Sequence, residues 1–356
     1  MFIQNVWYVA GWASEVAPGE MLARTLLDRP VVMWRDSDGT AHAFEDRCCH
    51  RGAPLSLGRL EGNCLRCMYH GLLFDASGKC VEVPSQSKIP LRAQVKTYPL
   101  VEKGTFLWIW MGDAEKADPA LIPDMPWMTS PDWAHIEGYT HYTTNYLLIC
   151  DNLLDLAHIA YVHPTTLGGD ENYARNPAKI ERLDNGLRVT RWTEEQNPPP
   201  FVQQVKHYTG KVDRWNDYEF LLPGIFIMDS GVVPSGQGGR DGGRDNAAAF
   251  LSTQAVTPES ENSTHYFFCQ PHNFAVDQPE VTRKVMEAVH MAFMEDKHMI
   301  SAQAAVLRRD PDFRMIPIKA DEGLTRYRTL VDQRIREEQE AAQGKQPEPQ
   351  ADPELA

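Results

Sequence analysis

Two short segments of this chain offer metal-binding side chains at telling spacings. Cys48-Cys49-His50 is a C-x-H, Cys67-Met68-Tyr69-His70 is a C-x-x-H, and sixteen residues lie between them. Two thiolates and two imidazoles of this kind hold a [2Fe–2S] cluster in which one iron takes sulfur ligands and the other nitrogen. Nitrogen ligation raises the reduction potential above that of an all-cysteine cluster, so the chemistry on offer is one-electron transfer. Zinc is the competing reading, because Cys64-x-x-Cys67 would serve in a four-cysteine or two-cysteine, two-histidine knot. Three details favour the cluster. Cysteine precedes histidine in both halves. Gly52 and Gly71 follow the histidines closely, as suits loops whose amides approach sulfide. Leu72-Leu73-Phe74 and the turn Asp75-Ala76-Ser77-Gly78 then read as a small β-scaffold under the loop. Cys49, Cys64, Cys80, Cys150 and Cys269 are left over and read as small buried thiols.

A second set of ligand-type residues lies in the stretch Asp151-Asn152-Leu153-Leu154-Asp155-Leu156-Ala157-His158, which runs on to His163-Pro164. Read as one helix, Asp151, Asp155 and His158 share a face. His163 then falls about 140° from His158, so both can hold one metal only where the helix distorts or ends. Pro164 makes an ending reasonable. Two neutral imidazoles and a carboxylate form the facial triad of non-haem Fe(II) oxygenases, which leaves positions open for O2 and substrate. The bland alternative is a pair of ordinary helix histidines. Asp155 and Asp296 compete for the third place. Asp296 sits on a predicted helix from about Pro279 to Arg309, whose apolar stripe runs Val281, Val285, Val289, Ala292, Ile300, Ala304 and Leu307. A carboxylate on a buried stripe needs a partner, either a metal or a salt bridge, and the geometry favours the metal. Glu295 lies roughly 100° off the stripe and reads as solvated.

These residues need two scaffolds, and 356 residues are enough for two domains. Residues 1–112 read as all-β, with short apolar runs such as Val31–Trp34 and Thr105–Trp110 between turns. A proline-studded connector opens a second domain, 113–336, of mixed strands and helices. It includes a hairpin, 179–192, turning at Asp184-Asn185-Gly186. The glycine-rich stretch 235–244 reads as a flexible loop and lacks the lysine of a phosphate loop. Residues 337–356, rich in Glu, Gln, Pro and Ala, read as a disordered acidic tail. A net charge of −14 argues against nucleic acid and anionic membranes as partners. An odd count of seven cysteines argues for a reducing compartment. With no basic leader at the N-terminus and no apolar run of membrane-spanning length, a cytoplasmic protein is expected.

The chain resembles the oxygenase α-subunits of Rieske non-haem iron oxygenases, in particular the vanillate O-demethylase and dicamba monooxygenase group. The carrying residues are Asn5–Ala10, Cys48–Leu57 (CCHRGAPLSL), Tyr69-His70-Gly71-Leu72, Asp151–His158 with Tyr161-Val162-His163, and Glu295-Asp296-Lys297. Ala53 stands where the respiratory Rieske type carries a disulfide cysteine, which supports the oxygenase type. The resemblance implies an α+β chain, with an all-β Rieske domain followed by a helix-grip catalytic domain on an antiparallel sheet. It implies Cys48, His50, Cys67 and His70 as cluster ligands, and His158, His163 and Asp296 as Fe(II) ligands. Asp155 becomes a bridge between an iron-ligating histidine and, across a subunit interface, the cluster histidine His70; Asn152 is a further catalytic candidate. It also implies O2 as co-substrate, a head-to-tail homotrimer, and electrons from NAD(P)H through a separate reductase with flavin and a ferredoxin-type cluster.

The expected substrate is a small substituted arene, with oxidative O-demethylation or hydroxylation ahead of N-dealkylation or ring dihydroxylation. Met228, Gln254 and His265 are pocket candidates, and His207, Arg214 and His272 are other possible anchors. An electron carrier without oxygenase activity is the alternative of another class, and an open triad speaks against it.

Overall fold

The computed structural model describes residues 1–168, 173, 175–238, 244 and 246–344. The centre of the glycine-rich loop, 239–243, and the tail beyond 344 therefore lie outside the described residues.

The first eleven strands are β1 (Trp7–Trp12), β2 (Met21–Leu26), β3 (Arg29–Arg35), β4 (Ala41–Glu45), β5 (Arg59–Glu61), β6 (Cys64–Arg66), β7 (Leu73–Asp75), β8 (Cys80–Glu82), β9 (Thr97–Tyr98), β10 (Leu100–Lys103) and β11 (Phe106–Trp110). They form three antiparallel sheets, ordered β1-β11-β10, β2-β3-β4-β9 and β5-β6-β7-β8. The unbroken apolar run of β11 has a physical reason. Successive side chains point to opposite faces, and both faces are covered. Leu107 and Ile109 enter one core, while Phe106, Trp108 and Trp110 enter another.

The second half is built on one seven-stranded antiparallel sheet. Its strands are β12 (Gly138–Tyr142), β13 (Lys179–Leu183), β14 (Gly186–Gln196), β15 (Val212–Leu221), β16 (Ile225–Pro234), β17 (Ala248–Ser260) and β18 (Ser263–Cys269), ordered β12-β18-β17-β16-β15-β14-β13. The β13–β14 hairpin turns through Asp184-Asn185 as expected, with Leu183 opposite Gly186. Among the helices are α1 (Tyr146–Leu154), α2 (Ile159–Val162), α3 (Pro200–Gln203), α4 (Pro279–Leu307) and α5 (Glu322–Gln343). The long helix α4 covers the extent expected of it and buries Val285, Val289, Ala292, Phe293, Asp296, Ile300 and Ala304. No helix among the described residues is long and apolar enough to cross a membrane.

The halves are joined tightly. Thr257 Oγ1 donates to Val9 O over 2.7 Å, and Trp12 Nε1 donates to Gly138 O over 3.0 Å. Leu27 N and Asp28 N donate to Pro258 O and Glu259 O over 3.0 and 2.9 Å. One expectation fails at the C-terminus. Residues 337–343 are not a disordered tail but the last turns of α5. The Glu338 carboxylate accepts from Gln4 N and Asn5 N, each at 2.8 Å, so the anchor is polar and leaves no apolar periodicity to read.

Candidate metal centres and active site

The two Cys/His segments fold into matching loops. Cys48 N donates to Ala53 O and Gly52 N returns to Cys48 O; Cys67 N donates to Leu72 O and Gly71 N returns to Cys67 O, all between 2.8 and 2.9 Å. Gly52 and Gly71 close these turns at φ +71° and +77°, where other residues are strained, and Pro84 leaves no room for a Cβ at Gly71. Cys48 and Cys67 are buried at the base, His50 and His70 are exposed at the tip, and the two imidazole rings lie 4.5 Å apart. Burial pushes the Cys48 thiol up to about 12, so a thiolate there would need a cation beside it. Cys64, the zinc alternative, is built into strand β6, opposite Glu61 and Asp75.

The second constellation does not form one helix. α1 ends at Leu154, Asp155 is extended, and His158 leads into the single turn of α2, after which His163 departs again. That break removes the angular conflict. His158 Nε2, His163 Nε2 and Asp296 Oδ1 converge, with the ligand atoms all within 4.8 Å of one another. His163 Nε2 lies 3.0 Å and His158 Nε2 3.5 Å from Asp296 Oδ1, and Asn152 Nδ2 donates to the same oxygen over 2.9 Å.

The far sides of both rings are engaged by acceptors, which fixes the tautomers. His158 Nδ1 donates to the backbone carbonyl of Asp155, and His163 Nδ1 donates to Glu295 Oε2 over 2.7 Å. Both Nε2 lone pairs therefore point at one carboxylate oxygen, so a proton or a metal cation must sit among them. Burial lowers the His158 pKa. Burial also opposes charge on His163, but its bonds to Asp296 and Glu295 outweigh this and raise its pKa.

One expectation changes here. Glu295 is not simply solvated: besides His163 it accepts from Thr166 Oγ1 at 2.7 Å. Its place beside Asp296 was the available signal, since carboxylates commonly back metal-binding histidines. Asp155 reaches the His158 ring through its backbone carbonyl, while its carboxylate caps Ala157 N at 2.7 Å.

The triad opens into a cavity lined by α1, α2, α3, α4 and strands β15 to β17. Apolar walls come from Leu167, Phe201, Val202, Phe250 and Phe293. Met228 and Gln254 line it, as expected, and so does Arg214. Asn216, Ser230, Ser252 and Gln270 add polar groups that sequence reasoning missed; strand register alone places the first three on the lined face. His265 does not reach the cavity. It faces the N-terminal layer, with Nε2 3.0 Å from Thr25 O and Nδ1 2.9 Å from Tyr139 Oη. His272 is enclosed between Phe274 O and Thr282 Oγ1, and His207 is exposed.

A mixed thiol–imidazole loop pair on a β-domain, with a facial triad in a second domain, defines a Rieske-type oxygenase. Comparison with known proteins agrees. Residues 6–99 match the Rieske [2Fe-2S] domain, and residues 142–337 match the vanillate O-demethylase oxygenase C-terminal domain. The toluene-4-sulfonate monooxygenase system iron-sulfur subunit of Comamonas testosteroni is 46% identical over 342 residues, 95% of this chain and 98% of its own length. A vanillate O-demethylase oxygenase subunit of a Pseudomonas species is 34% identical, covering 96% and 97%. The structure of dicamba monooxygenase bound to 3,6-dichlorosalicylic acid superposes with a TM-score of 0.88 at 32% identity, covering 96% and 99%. The chain belongs to the Rieske non-haem iron oxygenases of the vanillate O-demethylase family. It is the oxygenase component of a multicomponent system, carries a [2Fe–2S] cluster and a non-haem iron, and receives electrons from a separate reductase.

Proposed function

We propose that this oxygenase oxidises a C–H bond in a methyl, methoxy or N-alkyl substituent on an aromatic ring. The observation that carries this reading is the convergence of His158, His163 and Asp296 at the edge of a largely apolar cavity walled by Phe201, Phe226, Phe250 and Phe293. In this reading His158, His163 and Asp296 hold the iron, and Cys48, His50, Cys67 and His70 hold the cluster. When bound, the iron activates O2 with electrons that arrive through the cluster. The chain does the rest. Asp155 and Glu295 hold the two imidazoles in the tautomer that presents Nε2, and Asn152 steadies Asp296. The aromatic walls exclude water and hold a ring flat, so that its substituent is what approaches the triad.

Relatives are named for toluene-4-sulfonate monooxygenation, for O-demethylation of vanillate and dicamba, and for N-alkylformylase action on chloroacetanilides. Side-chain oxidation unites these names better than ring attack does. A hydroxylated methoxy carbon is a hemiacetal, which collapses to a phenol and formaldehyde, whereas a hydroxylated methyl group stays as an alcohol. The test is turnover of 4-methoxybenzoate, toluene-4-sulfonate, an N-alkyl anilide and unsubstituted benzoate, supported by a flavin-containing reductase and NADH. Formaldehyde or a benzylic alcohol supports the reading, and a ring diol overturns it.

A head-to-tail homotrimer is part of the proposal. Met68 and Tyr69 are exposed beside His70, Leu57 is exposed later in the loop that carries His50, and Phe313, Met315, Ile316 and Ile318 are exposed after α4. Two separate apolar patches suit a heterologous ring contact. Light scattering that gives a monomer mass at working concentration would remove this element.

A further inference from the structure

We propose that Arg214 anchors an anionic ring substituent, a carboxylate or a sulfonate; this rests on the reading that the cavity takes an arene. Arg214 lies on β15, is 8% exposed, and lines the cavity. Its Nη1 is committed to two backbone carbonyls, Gly168 O at 2.8 Å and Leu167 O at 3.5 Å, and its Cζ stands 4.8 Å from the Tyr173 ring. Among the described residues no carboxylate pairs with it, and its Nε and Nη2 donate to nothing.

Two other shielded arginines are neutralised. Arg24 pairs with Glu15 and Arg66 with Glu61, each at 2.6 Å. Arg191, also buried and stacked on Tyr173, has no ion pair among the described residues either, but it meets the Leu156 carbonyl at 3.4 Å and lines a separate hollow away from the triad. Among the described residues, Arg214 is thus a guanidinium enclosed against an apolar cavity with no carboxylate paired to it, an arrangement that costs free energy until an anion arrives. Commitment of Nη1 leaves the Nε–Nη2 edge, whose parallel donors match two oxygens of a carboxylate or sulfonate.

The surroundings extend the subsite. Asn216 lies two residues along the same strand face, and its register partner on β16 is Ser230. The Asn216 side-chain oxygen accepts from Tyr173 Oη at 3.0 Å, while its amide meets only the sulfur of Met228, at 3.5 Å. A soft sulfur contact leaves that amide free to turn to a substrate oxygen. The apolar lining residues Phe201, Phe250 and Phe293 would then hold the ring.

The test is equilibrium binding to the holoenzyme. Toluene-4-sulfonate and 4-methoxybenzoate are compared with their neutral isosteres toluene-4-sulfonamide and 4-methoxybenzamide, for wild type, Arg214→Gln and Arg214→Lys. Wild type is expected to favour each anion over its amide by about tenfold or more. Arg214→Gln should abolish that preference with little change in amide binding, and Arg214→Lys should keep part of it. Retained cluster absorption and an unchanged melting point establish that the variants fold. Wild type without an anion preference overturns the proposal, as does an Arg214→Gln variant that keeps it or weakens anion and amide alike. Turnover is read separately. An Arg214-dependent anion preference without side-chain oxidation would leave this subsite standing and sink the functional reading, and oxidation without the preference would do the reverse.

Discussion

Glu295 stands behind His163, with its Oε2 2.7 Å from Nδ1 of the ring, and Thr166 Oγ1 holds that same oxygen from another side at 2.7 Å. A carboxylate in this position makes the imidazole a stronger ligand and fixes its plane. Glu295→Gln keeps the shape but removes the charge. Iron affinity should fall by about 10- to 100-fold, the usual loss when such a partner is removed, with the cluster spectrum unchanged. Competition with a ferrous chelator measures this. Iron affinity equal to wild type would leave Glu295 with no positioning role.

The two proposed ligand sets lie in different layers of the chain, so each centre should be removable alone. His158→Ala should lose iron and turnover while the reduced cluster keeps its paramagnetic resonance signal. Cys67→Ser should do the opposite, losing the cluster signal and retaining iron. In His158→Ala the cluster should still accept electrons from a reductase. Product formation by that variant would contradict the role given to the triad.

The spacing of Cys48, His50, Cys67 and His70 carried the cluster reading because ligand order and nearby glycines are local properties. Asp296 was legible for a similar reason: its place on the stripe of α4 follows from helical periodicity alone. The place of the break that lets His158 and His163 approach was not: an ending was expected at Pro164, whereas the chain leaves helix at Asp155, which no strong breaker marks. Glu295 was misread because its angle off the stripe describes α4 in isolation, whereas the loop after α2 packs against that side. The cavity floor lay deeper still. Arg214, Asn216, Ser230 and Gln254 come together through strand register across β15 to β17, a long-range property that periodicity within one strand cannot supply.

Asp213, beside Arg214, makes stability depend on pH. Its carboxylate accepts from Glu195 N at 2.9 Å, Ser235 Oγ at 2.8 Å and Gly236 N at 3.0 Å, tying the irregular end of β14 to the end of β16. Burial alone would raise its pKa, but these bonds outweigh it and hold the carboxyl below its ordinary range. The folded value being the lower one, the stabilisation is present above the unfolded value near pH 4 and fades as pH falls through the folded value. Asp213→Asn should therefore cost about 1.5–3 kcal/mol at neutral pH, with the gap to wild type closing below about pH 4. Urea unfolding followed by tryptophan fluorescence at both pH values measures the gap. A gap of constant size would mean that the charge contributes nothing.

Glu338 ties the far end of α5 to the first residues of the chain, and through α5 it bears on the iron side. Upstream on α5, Arg328 grips the Asp151 carboxylate of α1 through two donors, and Tyr327 and Leu330 are buried beneath. α1 in turn carries Asn152, which holds Asp296. Charge-assisted bonds from the Gln4 and Asn5 amides to Glu338 should be worth about 1–3 kcal/mol in sum, since surface exposure weakens each of them. Glu338→Ala should lower the urea midpoint accordingly, and ending the chain after Lys345 should not. Because Phe2 and Ile3 are buried beside this junction, the same variant should also become cleavable near its N-terminus under limited proteolysis. A full-strength midpoint and an uncut N-terminus in Glu338→Ala would show that apolar packing alone holds the junction.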